Sequence, residues 1–428
     1  MKSVGIRVLV VGGGGREHAI VWKLQQSERV DSIICAPGNP GIASSVPCFP
    51  VPVMDLDAMV NLARSERVDL VVVGPEDPLA AGLADRLLEA GILVAGPTAA
   101  AAKLESSKSF AKEVMAAAGV STARSTTVTE RDAGIAAIHD IGGDGPVVVK
   151  VDGLAAGKGV VVAANAQEAI EALDAFLVDR TLGDAGSHVV IEEFLEGTEI
   201  SLLTLTDGTT IYSLAPSCDY KRALDDNEGP NTGGMGAYTP TRLMDSDLLQ
   251  QVQRDILQPV IDEMARRGTP MRGVLYAGII LTPDGPQVLE FNCRFGDPET
   301  QVVLPVLESD LGVLLEAVAR GTLADVPVPE SSGAAVGVIL ASGGYPASYP
   351  KGLPISGLDV PHDPHAIVFH AGTARNEAGE IVTSGGRVLN VIGLGADIAA
   401  ARDVAYAAAS EITFAGMQFR TDIARREA

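Results

Sequence analysis

Four of the nine lysines in this 428-residue chain, Lys108, Lys150, Lys158 and Lys221, fall in glycine-rich or polar stretches. Lys150 ends the β-branched run Val147–Lys150, and Gly153-Leu-Ala-Ala-Gly157-Lys158-Gly159 follows at once. A rigid ammonium at a strand end, followed by a second on a flexible glycine loop, suits a polyphosphate, with the loop as its cover. Further on, Val288-Leu-Glu290-Phe-Asn292-Cys-Arg294 reads as a strand whose period-two alternation sets Glu290, Asn292 and Arg294 on one face and Phe291 and Cys293 on the other. Two hard oxygen donors beside a guanidinium describe a magnesium–phosphate site, because Mg²⁺ takes few protein ligands and completes its shell from phosphate and water. Asn231-Thr-Gly-Gly-Met-Gly236 is a second glycine loop in which backbone can approach a ligand, with Asp219 and Lys221 just upstream.

Other patterns narrow the chemistry. Gly12–Gly15 stands between a strand and a helix, but neither frame of G-x-G-x-x-G completes, since Glu17 or His18 takes the third glycine position. The second strand also ends in Ala36-Pro37-Gly38, without an acidic residue for a ribose, so a nicotinamide or flavin role is disfavoured. What is left is a backbone N–H nest suited to an anion. The Gly153–Gly159 loop is one residue short of a Walker A loop and lacks the Ser/Thr after its lysine. His362, His365 and His370 cluster without zinc spacing, and four scattered cysteines form no CxxC. A formal charge of −23 with only 4% aromatic residues argues against nucleic acid and anionic membrane as partners. No apolar run reaches the ~20 residues of a membrane span, and no export signal is legible, so a reducing cytoplasm is the expected location.

These residues need elements to position them. Short apolar runs at Ile6–Val11, Asp31–Cys35, Leu70–Val73 and Ile92–Ala95 alternate with helical stretches at Arg16–Gln26, Leu56–Ser65 and Leu79–Ala90. That pattern predicts an α/β domain with a parallel sheet that binds ligands beyond its strand ends. From about residue 101 the pattern becomes α+β. It runs from a helix at Lys108–Ala118 through strands at Val147–Lys150, Val160–Ala163 and Val189–Glu193 to a long helix at Asp247–Arg267 and paired runs at Gly273–Leu281 and Gln287–Phe291. Beyond a linker at Pro327-Val-Pro329, strands at Ala335–Ala341, Ala366–Ala371 and Arg387–Ile392 precede one helix at Ile398–Ile412. The expected domains are 1–103, 104–326 with a mobile lid subdomain at about 121–193, and a small β-rich domain at 327–428.

Taken together, the chain resembles the phosphoribosylamine–glycine ligase family of the ATP-grasp superfamily. The resemblance rests on Arg16-Glu17-His18, Ala36-Pro-Gly-Asn39, Val73-Gly-Pro-Glu76, Leu104-Glu-Ser-Ser-Lys108, Lys150 to Gly159, Glu192-Glu-Phe-Leu, Gly229 to Tyr238, Glu290 to Gln301, and Gly385-Gly-Arg387. Val151, Cys218 and Tyr220 depart from the family's usual residues. The resemblance implies ATP-dependent joining of glycine to 5-phosphoribosylamine through a glycyl phosphate, in purine biosynthesis, by a monomer. By motif, Lys108, Lys150, Gly157, Lys158 and Gly159 would meet ATP phosphates. Glu192, Phe194 and Leu195 would hold adenine, and Glu199 the ribose. Glu290 and Asn292 would ligate Mg²⁺ or Mn²⁺. Gly14, Asn39, Glu76, Asp219, Lys221, Thr232, Gly234, Met235, Arg294 and Asp297 would face the other substrates, with Lys150, Arg294 and Asp297 catalytic. Such chemistry needs no protein nucleophile, consistent with the lack of a Ser–His–Asp arrangement. Another ATP-grasp enzyme such as a carboxylase, a nucleotide-binding regulator with a dead site, and a dehydrogenase stay open as alternatives.

Overall fold

The computed structural model describes residues 5–155, 159–360 and 363–428. Near-continuous apolar runs form β1 (Ile6–Gly12), β2 (Val30–Pro37), β3 (Leu70–Val73) and β4 (Leu93–Ala95), a parallel sheet in the order β2-β1-β3-β4. Alternate residues serve opposite cores. Val8, Val10, Leu70 and Val72 meet α1 (Gly15–Leu24), while Leu9, Val11, Val71 and Val73 meet α2 (Leu56–Ser65) and α4 (Leu83–Glu89). The single helix expected over Leu79–Ala90 is two, α3 (Glu76–Ala80) and α4, because Gly82 between them takes φ +89°.

Two short helices lead out of this sheet, α5 (Ala99–Ser106) and α6 (Lys108–Ala118), each started by a hydroxyl cap, Thr98 and Ser107. Next comes an antiparallel sheet of β5 (Ser125–Val128), β6 (Val147–Val151), β7 (Val160–Ala163) and β8 (Val189–Glu193), ordered β5-β8-β6-β7. Val147, Val149, Val151, Val189 and Ile191 pack with α7 (Arg131–Gly142) and α8 (Ala166–Leu173). The period of two therefore sends Lys150 and Glu192 to the opposite face.

The body of the molecule holds β9 (Thr198–Thr206), β10 (Ile211–Ser213), β11 (Cys218–Asp219), β12 (Arg222–Leu224), β13 (Glu228–Asn231) and β14 (Gly236–Thr239). Then follow α9 (Ser246–Val252), α10 (Gln258–Arg266), β15 (Gly273–Thr282) and β16 (Gly285–Asn292). A wider π turn over Gln253–Leu257 joins α9 to α10, so the long helix expected there is continuous but not uniform. Strands β10-β9-β15-β16 form an antiparallel sheet. After α11 (Thr300–Val306) and α12 (Leu311–Arg320) come β17 (Ala334–Ala341), β18 (Ala366–His370), β19 (Thr373–Arg375), β20 (Ile381–Thr383), β21 (Arg387–Gly395) and α13 (Ile398–Glu411). The five-stranded sheet β11-β14-β17-β21-β18 crosses the proline linker, since β14 pairs with β17 along its whole length. No helix among the described residues is long and apolar enough to cross a membrane.

Candidate active site

Lys150 is buried, and its Nζ lies 2.6 Å from Glu192 Oε2 and 3.4 Å from the Leu289 carbonyl of β16. The face of the β5–β8 sheet that carries it therefore looks onto the strand of Glu290 and Asn292. Glu192, 3% exposed, is shared: its second oxygen meets Lys112 Nζ at 3.2 Å, and Lys112 also donates to Thr122 Oγ1 and the Ala123 carbonyl. The carboxylate expected beside adenine is thus committed to two ammonium groups. Burial holds the Lys112 and Lys108 ammoniums below the usual lysine pKa, while Glu192 and Glu290 respectively pull them back up. Lys108 opens α6, where the helix dipole disfavours a cation. Asp152 answers this by accepting from the Ser109 N–H and hydroxyl, both at 2.7 Å. Lys108 Nζ reaches the Gly153 carbonyl at 3.4 Å, at the start of the glycine loop. Gly159 is required by space, because a Cβ there would stand 2.4 Å from Val151 Cγ2. Gly157 and Lys158 lie outside the described residues.

Glu290 and Asn292 project from one face of β16, opposite Gly278 and Tyr276, while Phe291 and Cys293 enter the core as the alternation requires. Burial would raise the Glu290 pKa, but Lys221, Lys150, Lys108 and Arg294 together hold it below the ordinary carboxylate value. Four cations from different parts of the chain thus act on one carboxylate. No three His, Cys, Asp or Glu side chains among the described residues are grouped so as to hold a metal by themselves. The pair Glu290–Asn292 nevertheless fits Mg²⁺, which is content with two protein oxygens when phosphates and water supply the rest.

On the N-terminal side Arg294 is clamped. Its Nε donates to Glu76 Oε2 at 3.1 Å, and a terminal nitrogen lies 3.2 Å from Glu105 Oε1. Burial raises the Glu105 pKa, whereas Arg294 and Arg16 outweigh burial at Glu76 and lower it. Gly14 lies at the mouth of the glycine turn, but its N–H donates to Glu17 Oε2 at 2.5 Å, so the nest is partly filled by its own helix. Asn39 is spent on backbone. It donates to the Gly13 and His370 carbonyls at 2.9 and 2.8 Å and accepts from the Ile42 N–H.

Asp297 meets Arg387 of β21 at 2.9 Å and accepts from Gln301 Nε2 at 2.7 Å. Burial works against its charge, yet Arg387 holds its pKa low. Arg387 also donates to the Gly233 carbonyl, and the Tyr345 hydroxyl accepts the Gly233 N–H at 3.0 Å. Gly234, at φ +107°, would place a Cβ 2.4 Å from Pro298 Cδ. Met235 is fully buried with Ile339 and Ala341, and so anchors the loop from behind. Thr232 ties the same loop to the Lys221 carbonyl through its N–H at 2.7 Å and its hydroxyl at 2.8 Å.

Lys221 pairs with Glu199 and stands 3.8 Å from Asp219. Burial pushes the Asp219 carboxyl up to about 7 despite Lys221, with Glu299, Glu199 and Glu290 adding to the rise. The Lys221 pKa sits well above the ordinary value, because Asp219 and Glu199 outweigh its burial. Phe194, 40% exposed, and half-buried Leu195 occupy the short connection from β8 to β9, where an apolar ring is open to solvent.

Models of the phosphoribosylglycinamide synthetase N domain, ATP-grasp (A) domain and C domain match residues 6–105, 106–300 and 335–426. The chain belongs to the phosphoribosylglycinamide synthetase family. It is 51% identical to a phosphoribosylamine–glycine ligase of Streptomyces coelicolor, over 99% of this chain and 100% of that one. It is 47% identical to the Nostoc ligase, with 98% and 99% covered. Against the trifunctional purine biosynthetic protein adenosine-3 of Gallus gallus the identity is 49% over 98% of this chain, which spans 42% of that longer protein. The crystal structure of the Thermotoga maritima ligase superposes with a TM-score of 0.84 at 32% identity, covering 98% of this chain and all of that one. A biotin carboxylase domain from Hydrogenobacter thermophilus, solved with MgADP, shares the fold at TM-score 0.73 and 18% identity, over 97% of this chain and 92% of that one.

Among residues of the cluster that sequence reasoning passed over, Lys112 was within reach. It stands four positions after Lys108, on the same side of α6. Glu105 lies in the string read for Lys108 but caps the Cys293 N–H at 2.7 Å, a contact with no local signal. Arg387 was read only as part of a motif, because its partner Asp297 is 90 residues away.

Proposed function

We propose that this chain joins glycine to 5-phosphoribosylamine at the expense of ATP, releasing ADP and phosphate, as a step in purine biosynthesis. The observation that carries the reading is the convergence of Lys108, Lys150, Lys221 and Arg294 upon Glu290 in a chain otherwise strongly acidic. Such a cluster attracts a polyphosphate and leaves the carboxylate free to share a divalent ion with it.

In this reading Lys108 and Lys150 hold ATP phosphate oxygens, and the Gly153–Gly159 loop, with Lys158, covers them. Phe194 and Leu195 take the adenine ring, and Glu199 the ribose. Glu192 takes the adenine with Phe194 and Leu195, and its two lysine contacts also set the Lys150 ammonium. Glu290 and Asn292 would hold Mg²⁺ or Mn²⁺, which would neutralise phosphate charge. A glycine carboxylate oxygen attacks the γ-phosphorus, the bond to ADP breaks, and glycyl phosphate forms. The amine of phosphoribosylamine then attacks the glycyl carbonyl, loses a proton, and expels phosphate. Splitting amide formation in this way replaces one hard step with two easier ones. Lys150 and Arg294 stabilise charge on the moving phosphoryl group, and such electrostatic stabilisation usually supplies most of the rate enhancement in these transfers. Asp297 and Lys221 border the remaining space with Glu76, Asp219, Gly14, Thr232 and Gly234. Asn39 and Met235 act behind it, shaping the loops. The protein works as a monomer in the cytoplasm.

The test is ADP release measured with each co-substrate omitted in turn. Release that needs both glycine and phosphoribosylamine is expected. Release with neither would contradict the reading, and release with bicarbonate in place of glycine would point to the carboxylase alternative.

A further inference from the structure

Residues 418–427 close over the loop that carries Asp219 and Lys221. Arg420 is 1% exposed, and its guanidinium is forked onto Asp422, with Nε to Oδ1 at 2.7 Å and a terminal nitrogen to Oδ2 at 2.6 Å. Fixed this way, it lies over the Tyr220 ring at 4.7 Å and donates to the Arg222 carbonyl and Asn227 Oδ1, both at 3.1 Å. Tyr220 and Arg222 flank Lys221. Arg420 thus touches the residues on either side of Lys221, whose own ammonium meets Glu199 and Asp219. The Tyr220 hydroxyl also accepts the Ala424 N–H at 2.9 Å.

The contact is continued by neighbours. Asp225 accepts from the Thr421 N–H at 2.8 Å, the Asp226 N–H donates to Asp422, and Arg425 pairs with Asp226 at 2.8 Å. Residues 420–423 are themselves seated on α13, where Tyr406 donates to the Arg420 carbonyl and Arg402 to the Ile423 and Thr421 carbonyls. Of the five non-glycine residues at positive φ among those described, Asp226, Asn227 and Ala424 all lie at this junction. Backbone in that region persists where surrounding contacts over-determine it. A cavity of about 580 Å³ separates the two sides, with Glu199, Asp219 and Lys221 on one wall and Asp422, Arg425 and Glu427 on the other.

We propose that Arg420 is a positioning residue. It holds the Tyr220 ring on one side of Lys221 and the Arg222 carbonyl on the other, and so sets the Lys221 ammonium and Asp219 carboxylate for the substrates other than ATP. The proposal rests on the ligase reading for its kinetic test, and a second readout is independent of it. In Arg420→Met, the KM for glycine or for phosphoribosylamine should rise about tenfold or more, with the KM for ATP within about twofold. Arg420→Lys, which keeps a cation over Tyr220, should recover part of the loss. Unchanged KM values, or a fall in kcat with no such split, would overturn the proposal. Should Arg420→Met fail to fold, Asp225→Ala cuts the Thr421 link at the edge of the junction and should show the same split more weakly; no split there overturns the proposal. Amide exchange separates this from failure of the ligase reading. The Tyr220, Thr232 and Met235 N–H groups should exchange about tenfold faster in the variant at matched melting temperature, and equal rates would refute the clasp even in a protein without ligase activity.

Discussion

Lys150 and Glu192 show how a single ion pair can set a site. Lys150→Ala should lose ~3–4 kcal/mol of transition-state stabilisation, on the scale of a lost oxyanion donor, and leave Glu192 with Lys112 alone. Single-turnover ADP formation measures it; a loss confined to the KM for ATP would make Lys150 a binding group only. Lys108 adds a pH signature. Burial lowers its pKa, so the ammonium is lost earlier than in an ordinary lysine as pH rises, and ATP affinity should fall on that alkaline limb. Arginine stays charged there, so Lys108→Arg should push the limb upward. Equal limbs in titrations of nucleotide binding would remove Lys108 from the phosphates.

At the scale of elements, the 231–236 loop is held by shape. Gly234→Ala meets both a positive φ and Pro298, and should cost ~1–3 kcal/mol of stability together with a raised KM for a substrate other than ATP. Thermal melts and initial rates check both. Much of this level was legible beforehand. The strands at 70–73 and 160–163 and the helices at 56–65 and 108–118 coincide with the runs read from period and caps, because burial on both faces or on one stripe writes itself into composition. The alternation of Glu290 and Asn292 against Phe291 and Cys293 was equally plain. The break at Gly82 was not, since one glycine in an apolar helical pattern is compatible with either outcome. Strands β11 to β14 were not legible at all. They are short, and β11 and β14 are fixed by pairing toward β17, about a hundred residues away. The pairing of Glu192 with Lys150 and Lys112 was not legible either, because its partners lie on another strand and a distant helix.

For the whole molecule, the consequence is that the segment beyond the proline linker packs onto the candidate site. Its β17 completes the sheet of β14, and its Arg387 reaches Asp297 and Gly233. Arg387→Ala should therefore destabilise the protein by ~1–3 kcal/mol, leaving Asp297 without its charged partner. The sign follows from linkage. Asp297 has a lowered pKa, so the pair contributes stability above the unfolded carboxyl value and loses it as pH falls. The gap between variant and wild-type melting temperatures should thus hold above the unfolded carboxyl value of about 4 and narrow as pH falls below it toward the lowered folded value. A constant gap would assign the loss to packing alone. The central claim, that a carboxylate captures a phosphoryl group amid these cations, is tested most directly with glycine labelled by oxygen-18 in its carboxylate. The account predicts that one labelled oxygen per turnover leaves in the inorganic phosphate; phosphate free of label, with ADP and amide still formed, would contradict it.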